Sequence, residues 1–482
     1  MNRQINRVTG ALVFLILLLI GNLSYVQVFE ASQLRSQQGN QRILLAEYSR
    51  QRGPILLASQ AIAESTPTND TLKYLRTYTN PEAYAPITGF YSLVYGATGL
   101  EQKENNILSG NDSRFFVDRL QQLLANRKPK GGAIRLTIND RAQRAAYKAL
   151  RGRTGAVVAI NPKTGAILAL VSSPSFDPNL LSSHDAKSIQ DSYESLLANA
   201  DQPMLNRPLA MTLPPGSVFK LVTAAAALES GKYTPDTVVP GPASITLPLT
   251  DKELGNWTGK ACGPDDQTTL TQALAISCNT AFASIGMELG AKAIEEQAKK
   301  FGFETSFALP LIAAASHFPT KVDLPQTAMS AIGQFDVRAT ALQMAMVAAG
   351  IANQGVVMKP FLIAQVLGPD LSVLQNTAPQ AQQRAISPIN ATLLTEMMVN
   401  VVTNGTGSKA RLPNVRVAGK TGTAENTPGE SAHAWFVSFA PADDPEVAVA
   451  VFLEHGGGAR EVSGNALAGP IAAAVMQAVI SK

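Results

Sequence analysis

One uncharged stretch near the N-terminus limits what this chain can fold into. Residues 8–28 carry no charged side chain, and Arg3 and Arg7 precede them. About 20 apolar residues suffice for a helix to cross a bilayer, and a basic flank keeps the preceding end in the cytoplasm. The stretch lacks the short apolar core and clear cleavage site of a signal peptide. We therefore expect a cytoplasmic tail at 1–7, an uncleaved single-pass anchor in the cytoplasmic membrane at 8–29, and the rest of the chain outside the cytoplasm.

Composition allows a large folded region and excludes several classes of function. The chain has 482 residues, of which 45% are hydrophobic and 16% charged, which is enough for about three domains. The net charge of +4 gives no basic stripe, so we expect no nucleic-acid partner. The four histidines and two cysteines show no ligand spacing, so we expect no metal site and no cofactor.

Residues 30–152 are predicted to form a separate, non-catalytic domain, here called the pedestal domain. The patterns predict a polar helical stalk at 30–41 and an amphipathic helix at 113–127. The break at Arg52-Gly53-Pro54 separates two predicted strands, and the segments 66–70 and 80–86 are predicted loops. No pair of acidic residues suggests a reaction here, so a structural or docking role is expected.

Residues 153–482 are predicted to form an α+β domain. A strand, turn and strand begin at Gly155, helical segments fill most of 184–355, and strand patterns return at 415–417, 434–439 and 447–453. The last segment, 462–480, is helical in pattern. Because strands lie at both ends of the domain, we expect one antiparallel sheet assembled from the two ends and a helical middle.

A serine and a lysine lie at the start of an apolar helix in this domain. Pro214-Pro215-Gly216 precedes Ser217, and an Ala/Leu-rich run follows to Gly231, which predicts a helix that begins near Ser217. Lys220 lies one turn later on the same face. A lysine with a lowered pKa can accept the proton of a serine nucleophile. A pair at this spacing is common by chance, and by itself it is more often an N-capping serine and a solvated lysine.

Two further polar segments lie at corners of the predicted structure. Ser277-Cys278-Asn279 separates two apolar helical runs, as a helix-linking turn would. The segment 415–424 contains Lys420 and the hydroxyls of Thr421 and Thr423. On an edge strand these side chains face a cleft, and Gly422 allows a ligand to approach the backbone.

The order Ser-x-x-Lys, Ser-x-Asn, Lys-Thr-Gly within one domain resembles the penicillin-binding protein and serine β-lactamase superfamily. Arg52-Gly53-Pro54-Ile55 and the hairpin from Gly155 are similar to segments of class B penicillin-binding proteins. The segments at 88–92 and 99–101 are most like the actinobacterial penicillin-binding protein A group. The resemblance implies an anchor, a pedestal and a transpeptidase domain of the penicillin-binding fold, with an antiparallel sheet and a helical subdomain. No acidic catalytic pair lies between anchor and hairpin, so no glycan polymerisation is expected.

The resemblance also implies a reaction and a role for each motif residue. The reaction is D,D-transpeptidation of peptidoglycan stem peptides carried on lipid-linked or polymerised glycan, with β-lactam antibiotics as covalent inhibitors and a glycan polymerase as partner. The implied roles are nucleophile for Ser217, proton acceptor for Lys220, proton relay for Ser277, substrate and Lys220 contact for Asn279, and carboxylate binding for Lys420, Thr421 and Thr423. The backbone N–H groups of Ser217 and Thr423 would form the oxyanion hole.

Outside the cytoplasm Cys262 and Cys278 are able to form a disulfide, and two separate buried thiols are the alternative.

Three other functions are compatible with the same motifs: a β-lactamase or β-lactam sensor, a membrane scaffold with an inactive domain, and a D,D-carboxypeptidase with water as acceptor. The intact motifs argue against the scaffold, and the pedestal and anchor argue against the other two.

Overall fold

The computed structural model describes residues 2–26, 47–115, 130–425, 430–458 and 462–481. Helix α1 spans Asn2–Tyr25. Its part Asn6–Tyr25 is the one helix among the described residues that is long and apolar enough to cross a membrane. The predicted stalk at 30–41 lies outside the described residues. Of the predicted helix at 113–127 only Ser113–Phe115 is described, as a 3₁₀ turn.

The region before residue 153 contains short strands and helices. The strands are β1 Ile55–Leu57, β2 Gln60–Pro67, β3 Tyr74–Tyr78, β4 Tyr91–Ser92, β5 Gly96–Ala97 and β6 Ala133–Leu136. The helices are α2 Pro81–Thr88, α3 Gly99–Lys103, α4 Asn105–Leu108 and α5 Asp140–Leu150.

The region after residue 153 alternates strands with longer helices. Its strands are β7 Gly155–Ile160, β8 Ile167–Ser173, β9 Val238–Pro240, β10 Ser244–Thr246, β11 Glu253–Gly255, β12 Gln267–Thr269, β13 Val356–Met358, β14 Ile363–Leu367, β15 Val373–Asn376, β16 Ala381–Arg384, β17 Ala418–Ala424, β18 His433–Ala440 and β19 Val447–Leu453. Its helices are α6 Ala186–Ala198, α7 Arg207–Ala210, α8 Lys220–Glu229, α9 Leu270–Ala275, α10 Asn279–Leu289, α11 Ala291–Lys300, α12 Leu324–Ala331, α13 Ala341–Ala352, α14 Pro388–Thr403, α15 Gly464–Leu467 and α16 Gly469–Ile480.

A five-stranded antiparallel sheet forms the centre of this region, in the order β17-β18-β19-β7-β8. The prediction of one antiparallel sheet built from the two ends of the domain is therefore confirmed. Strands β7, β18 and β19 are buried along their whole length, because α5 and α16 pack on one face and α13 packs on the other. Strand β17, which carries Lys420, lies at one edge of the sheet.

Helix α8 passes through the middle of the helical part. Its residues from Lys220 to Leu228 are all buried, as is typical of a helix that is apolar on every side. The helix ends at Glu229, two residues before the predicted stop at Gly231. The sequence Ala-Ala-Ala-Ala at 224–227 suits this position because small side chains let neighbouring helices approach closely.

The pedestal domain contains a six-stranded sheet to which the other region contributes. Its order is β15-β14-β6-β1-β2-β3, with β1 and β6 parallel and the other pairs antiparallel. The hairpin β14–β15 comes from the chain after residue 153. At the other edge, Asn179 accepts a hydrogen bond from the N–H of Tyr78 at 2.8 Å and donates one to its carbonyl at 3.1 Å. Both edges of this sheet therefore contact the catalytic part of the chain.

Helix α5 departs from the predicted domain limits. The limit at 152/153 places this helix in the pedestal domain, but its Ala142, Ala146 and Leu150 are buried in the cluster formed with the five-stranded sheet and α16. We therefore propose a limit before Asp140. The remaining domain division stays a prediction.

The predicted loop at 80–86 is wrong, because Pro81–Thr88 is a helix. Proline is favoured in the first turn of a helix, where its missing N–H needs no partner. The helix is held by burial of Tyr84, Ala85 and Ile87. The predicted loop at 66–70 begins later than expected, because β2 continues to Pro67.

Candidate active site

The turn that carries Ser217 at the start of α8 is held between two segments of the fold. Gly216–Phe219 forms a 3₁₀ turn that leads into α8. Gly216 has a φ of +53°, and its N–H donates to the carbonyl of Gly333 at 2.9 Å. A Cβ built on Gly216 would lie 2.8 Å from the carbonyl oxygen of Thr423 in β17. Only glycine fits at position 216. Its close approach to β17 places the half-buried Ser217 beside this edge strand.

Lys220 is completely buried and contacts the corner between α9 and α10. Its Nζ donates to the carbonyl of Ser277 at 2.8 Å and to Oδ1 of Asn279 at 2.7 Å. The Oγ of Ser277 lies 3.3 Å from the same nitrogen. The structure therefore brings together the Ser-x-x-Lys and Ser-x-Asn segments, which the sequence separates by more than fifty residues.

Ser277 has a φ of +63°, a conformation that a serine adopts only when its surroundings hold it there. Asn256 supplies part of that support. Its Oδ1 accepts hydrogen bonds from the N–H of Asn279 at 2.9 Å and from the N–H of Thr280 at 3.2 Å. The sequence analysis missed Asn256, because an isolated asparagine in a loop has no local signal.

Lys420 completes the cluster from the opposite side. It is completely buried, and its Nζ donates to Oγ of Ser277 at 2.9 Å and to the carbonyl of Thr421 at 2.9 Å. The Oγ of Ser277 thus lies between the amines of Lys220 and Lys420. All three sequence motifs therefore meet at one hydroxyl group.

Burial sets the charge of the two amines. Burial and then the charge of Lys420 hold the pKa of Lys220 well below its ordinary value. Burial lowers the pKa of Lys420 to about 7. Both shifts favour the neutral amine, and at Lys220 burial and a neighbouring positive charge act in the same direction. The N–H bonds of a neutral Lys220 are directed at the Ser277 carbonyl and Asn279, which leaves a lone pair to accept a proton.

The remaining residues of the Lys-Thr-Gly segment differ in their surroundings. Thr423 is exposed and Thr421 is buried. The Oγ1 atoms of Thr421 and Thr406 share a hydrogen bond of 2.8 Å. Sequence analysis missed Thr406, although its position in Gly405-Thr406-Gly407 marks a close-packed loop. Thr406 orients the hydroxyl of Thr421 within the cluster.

Gly422 lies in a close contact between β17 and its neighbours. A Cβ built on it would lie 2.9 Å from Cβ of Trp435 and 3.0 Å from the carbonyl oxygen of Pro215. The predicted reason for this glycine was the approach of a ligand to the strand. The packing gives a different reason, because the missing side chain lets β17 lie directly against the turn that carries Ser217.

Cys262 and Cys278 are joined by a disulfide. Cys278 is the residue between Ser277 and Asn279 and immediately precedes α10. The bond therefore ties the loop before β12 to the corner that carries both polar side chains. In the described part of the chain, no group of three or more His, Cys, Asp or Glu residues is placed to hold a metal ion.

Comparison with known proteins agrees with this arrangement. Residues 155–477 match the model of the penicillin-binding protein transpeptidase domain, and residues 52–134 match that of the penicillin-binding protein A dimerisation domain. The chain is 44% identical to the peptidoglycan D,D-transpeptidase PbpA of Mycolicibacterium smegmatis, over 100% of this chain and 99% of that protein. It is 43% identical to PbpA of Mycobacterium tuberculosis, with the same coverage.

Solved structures are similar over nearly the same length. Penicillin-binding protein A from M. tuberculosis, as its ceftriaxone acyl-enzyme complex, has a TM-score of 0.89 and 43% identity, over 91% of this chain and 100% of that one. The penicillin G acyl-enzyme complex has a TM-score of 0.86 and 42% identity, over 90% of this chain and 100% of that one.

Proposed function

This chain belongs to the penicillin-binding proteins with a transpeptidase domain, and from that premise we propose that it is a peptidoglycan D,D-transpeptidase with Ser217 as its nucleophile. The observation that carries the proposal is the hydroxyl of Ser277 held between two buried amines, with Ser217 one turn before Lys220. This arrangement supplies a neutral amine to activate a serine and a proton path to a leaving group.

The first half-reaction forms an acyl-enzyme. The Oγ of Ser217 attacks the carbonyl carbon of the penultimate D-alanine of a stem peptide, and Lys220 accepts the serine proton. The N–H groups of Ser217 and Thr423 stabilise the negative charge that develops on the carbonyl oxygen. The bond to the terminal D-alanine then breaks, and its nitrogen receives a proton through Ser277. Free D-alanine leaves, and the peptide remains as an ester on Ser217.

The second half-reaction forms the cross-link. An amine of a neighbouring stem peptide attacks the ester carbonyl and loses a proton to the same amine and hydroxyl pair. The ester bond breaks, Ser217 regains its proton, and a new amide joins the two peptides. The charge of Lys420 and the hydroxyls of Thr421 and Thr423 hold the donor carboxylate, while Asn279 positions the donor backbone.

β-Lactams resemble the terminal D-Ala-D-Ala, so the same steps acylate Ser217 when the lactam amide bond opens. No separate leaving group departs, because the lactam nitrogen stays attached to the acyl fragment. Deacylation is then slow, and the drug inhibits the enzyme covalently. The acyl-enzyme complexes solved for the M. tuberculosis relative support this part of the proposal.

We test the nucleophile by intact mass after incubation of the chain from about residue 31 with benzylpenicillin. The wild type should gain one drug mass that persists, and Ser217→Ala should gain none. Ser230→Ala is the matched control, because Ser230 follows the other end of α8, where its Oγ donates to the carbonyl of Ala227. A wild-type protein that is folded but unlabelled would contradict the proposal. Rapid loss of the adduct would favour a β-lactamase. When a stem peptide ending in D-Ala-D-Ala replaces the drug, release of D-alanine without cross-linking would favour a D,D-carboxypeptidase.

We further propose that α1 is a single-pass anchor in the cytoplasmic membrane, with the catalytic region outside and a glycan polymerase supplying the strands. The length and apolar character of Asn6–Tyr25 support the anchor, and the basic residues before it support the orientation. The full chain should stay in the membrane fraction after alkaline washing. A phosphatase that is active only outside the cytoplasm should be active when it is fused after residue 482 and inactive when it is fused before residue 1.

A further inference from the structure

Phe335 combines two features that seldom occur together. Its side chain is 46% exposed, and its φ is +61°, which is disfavoured for a bulky residue. An exposed phenylalanine in such a conformation contributes little to the core. Backbone strain of this kind persists where the surrounding structure enforces it, and it is concentrated at binding and catalytic sites.

The turn that carries Phe335 lies against the residue before the nucleophile. Gly333 accepts the hydrogen bond from Gly216 at 2.9 Å, and a Cβ built on Gly333 would lie 2.2 Å from the carbonyl oxygen of Gly216. Arg338 holds the other side of the turn, since its Nη1 donates to the carbonyl of Phe335 at 3.0 Å. Phe335 therefore lies two residues after Gly333, which is in direct contact with the turn that carries Ser217.

The position of this turn along β17 indicates which part of the substrate it meets. In the proposed function Lys420 and the hydroxyls of Thr421 and Thr423 bind the donor carboxylate, and the backbone N–H of Thr423 binds the oxygen of the reacting carbonyl. A donor peptide extended beside this edge strand then places its preceding residues near Ala424. A Cβ built on Gly216 would lie 3.0 Å from Cα of Ala424. Through Gly216, the turn that contains Gly333 and Phe335 is therefore adjacent to the Ala424 end of β17.

We propose that Phe335 is a specificity-determining residue whose ring contacts the apolar part of the acyl donor, on the side of the scissile bond away from the carboxylate. The inference rests on the proposed function and adds a residue outside the three motifs. In β-lactams the corresponding group is the acylamino side chain. Loss of an aromatic contact of this type typically lowers a rate constant or an affinity several-fold.

Two penicillins that differ on this side alone provide the test. Benzylpenicillin carries a phenylacetyl group, whereas 6-aminopenicillanic acid carries none. The second-order rate constant of acylation is measured for both drugs by a time course of intact mass. Phe335→Gly removes the ring and the strain, and Phe335→Tyr keeps the ring. Leu371→Gly is the matched control, because Leu371 is 50% exposed with a φ of +66° and lies in the β14–β15 turn.

We expect Phe335→Gly to lower the constant for benzylpenicillin by roughly five- to tenfold, and to change that for 6-aminopenicillanic acid by less than about twofold. Phe335→Tyr and Leu371→Gly should resemble the wild type. Both glycine variants should keep or raise the Tm, because glycine adopts a positive φ without strain.

An unchanged rate constant for benzylpenicillin would overturn the inference, because the ring would then contribute nothing to acylation. An equal loss with both drugs, or a lower Tm for Phe335→Gly alone, would also overturn it, because the residue would then act on folding. These results differ from failure of the proposed function. In that case the wild type would form no stable adduct with either drug.

Discussion

At the scale of single residues, the site depends on the cost of burying two lysines side by side. Lys220 and Lys420 are both inaccessible to solvent, and both have a lowered pKa. Burial of an amine favours its neutral form, so both buried lysines lower the stability of the fold at neutral pH. The Oγ of Ser277 lies 3.3 Å from Nζ of Lys220 and 2.9 Å from Nζ of Lys420, and the positive φ of Ser277 adds strain at the same point.

This cost predicts that Lys420→Met is more stable than the wild type at neutral pH, although it is inactive in acylation. The pKa of Lys420 is about 7 in the folded chain and about 10.4 in an unfolded one. Between these values the unfolded state binds more protons, so the free energy of unfolding of the wild type rises with pH. The pKa difference corresponds to about 4 kcal/mol at pH 7, and loss of the two hydrogen bonds of Lys420 offsets about half of it. The net gain for Lys420→Met should therefore be on the order of 2 kcal/mol at pH 7 and should shrink towards pH 10. Urea unfolding at several pH values measures it, and a variant less stable at every pH would contradict the argument.

At the scale of elements, a buried ionic group joins the first strand of the pedestal domain to its helices. Glu101 in α3 accepts from Nε of Arg52 at 2.6 Å and from Nε of Arg76 in β3 at 2.7 Å. All three side chains are buried. Arg76 also donates to the carbonyl of Gly53 at 2.9 Å. The Arg-Gly-Pro segment seen in the sequence is therefore an anchor point for β1.

Glu101→Gln should destabilise the protein strongly, because it leaves two buried guanidinium groups without a counter-charge. We expect a loss of about 3–5 kcal/mol in the free energy of unfolding. Glu396→Gln is the control, since Glu396 pairs with Arg416 at the exposed surface, where such pairs contribute at most about 1 kcal/mol. Thermal and urea unfolding of both variants measure the difference. An equal loss in the free energy of unfolding for the two variants would show that the buried ionic group stabilises the fold no more than the surface pair does.

At the scale of the whole molecule, the two sheets are coupled through shared segments. The hairpin β14–β15 completes the six-stranded sheet, and Asn179 binds the backbone of Tyr78 at the opposite edge. Neither the pedestal domain nor the catalytic region keeps all its backbone partners when the other unfolds. The position of the active site relative to the pedestal domain is thus set by shared strands and hydrogen bonds.

We therefore predict one cooperative unfolding transition for the chain from about residue 31. Calorimetry should give a single peak, and acylation by benzylpenicillin should shift that whole peak to a higher Tm, because the attached acyl group makes its non-covalent contacts with the site only in the folded state. Two resolved peaks, of which the drug moves one, would show that the domains unfold independently.

The sequence by itself determined the fold class and the apolar N-terminal helix, and it supplied the residues that we propose as the reacting groups. These follow from local patterns: the uncharged run at 8–28, the strands at both ends of the second domain, and three short motifs in order. Local patterns were sufficient because helix starts, edge strands and polar corners depend on neighbouring residues. The same reasoning failed at Pro81–Thr88, where tertiary burial of Tyr84 and Ile87 holds a helix.

Only the tertiary structure decided how those groups act on one another. The meeting of Lys220, Ser277 and Lys420, the support from Asn256 and Thr406, and the position of Phe335 all join distant segments. The lowered pKa values likewise come from burial by the whole fold. Spacing along the chain carries no information on such contacts, because the desolvation and packing that produce them arise only when the sheet and helices close around the site.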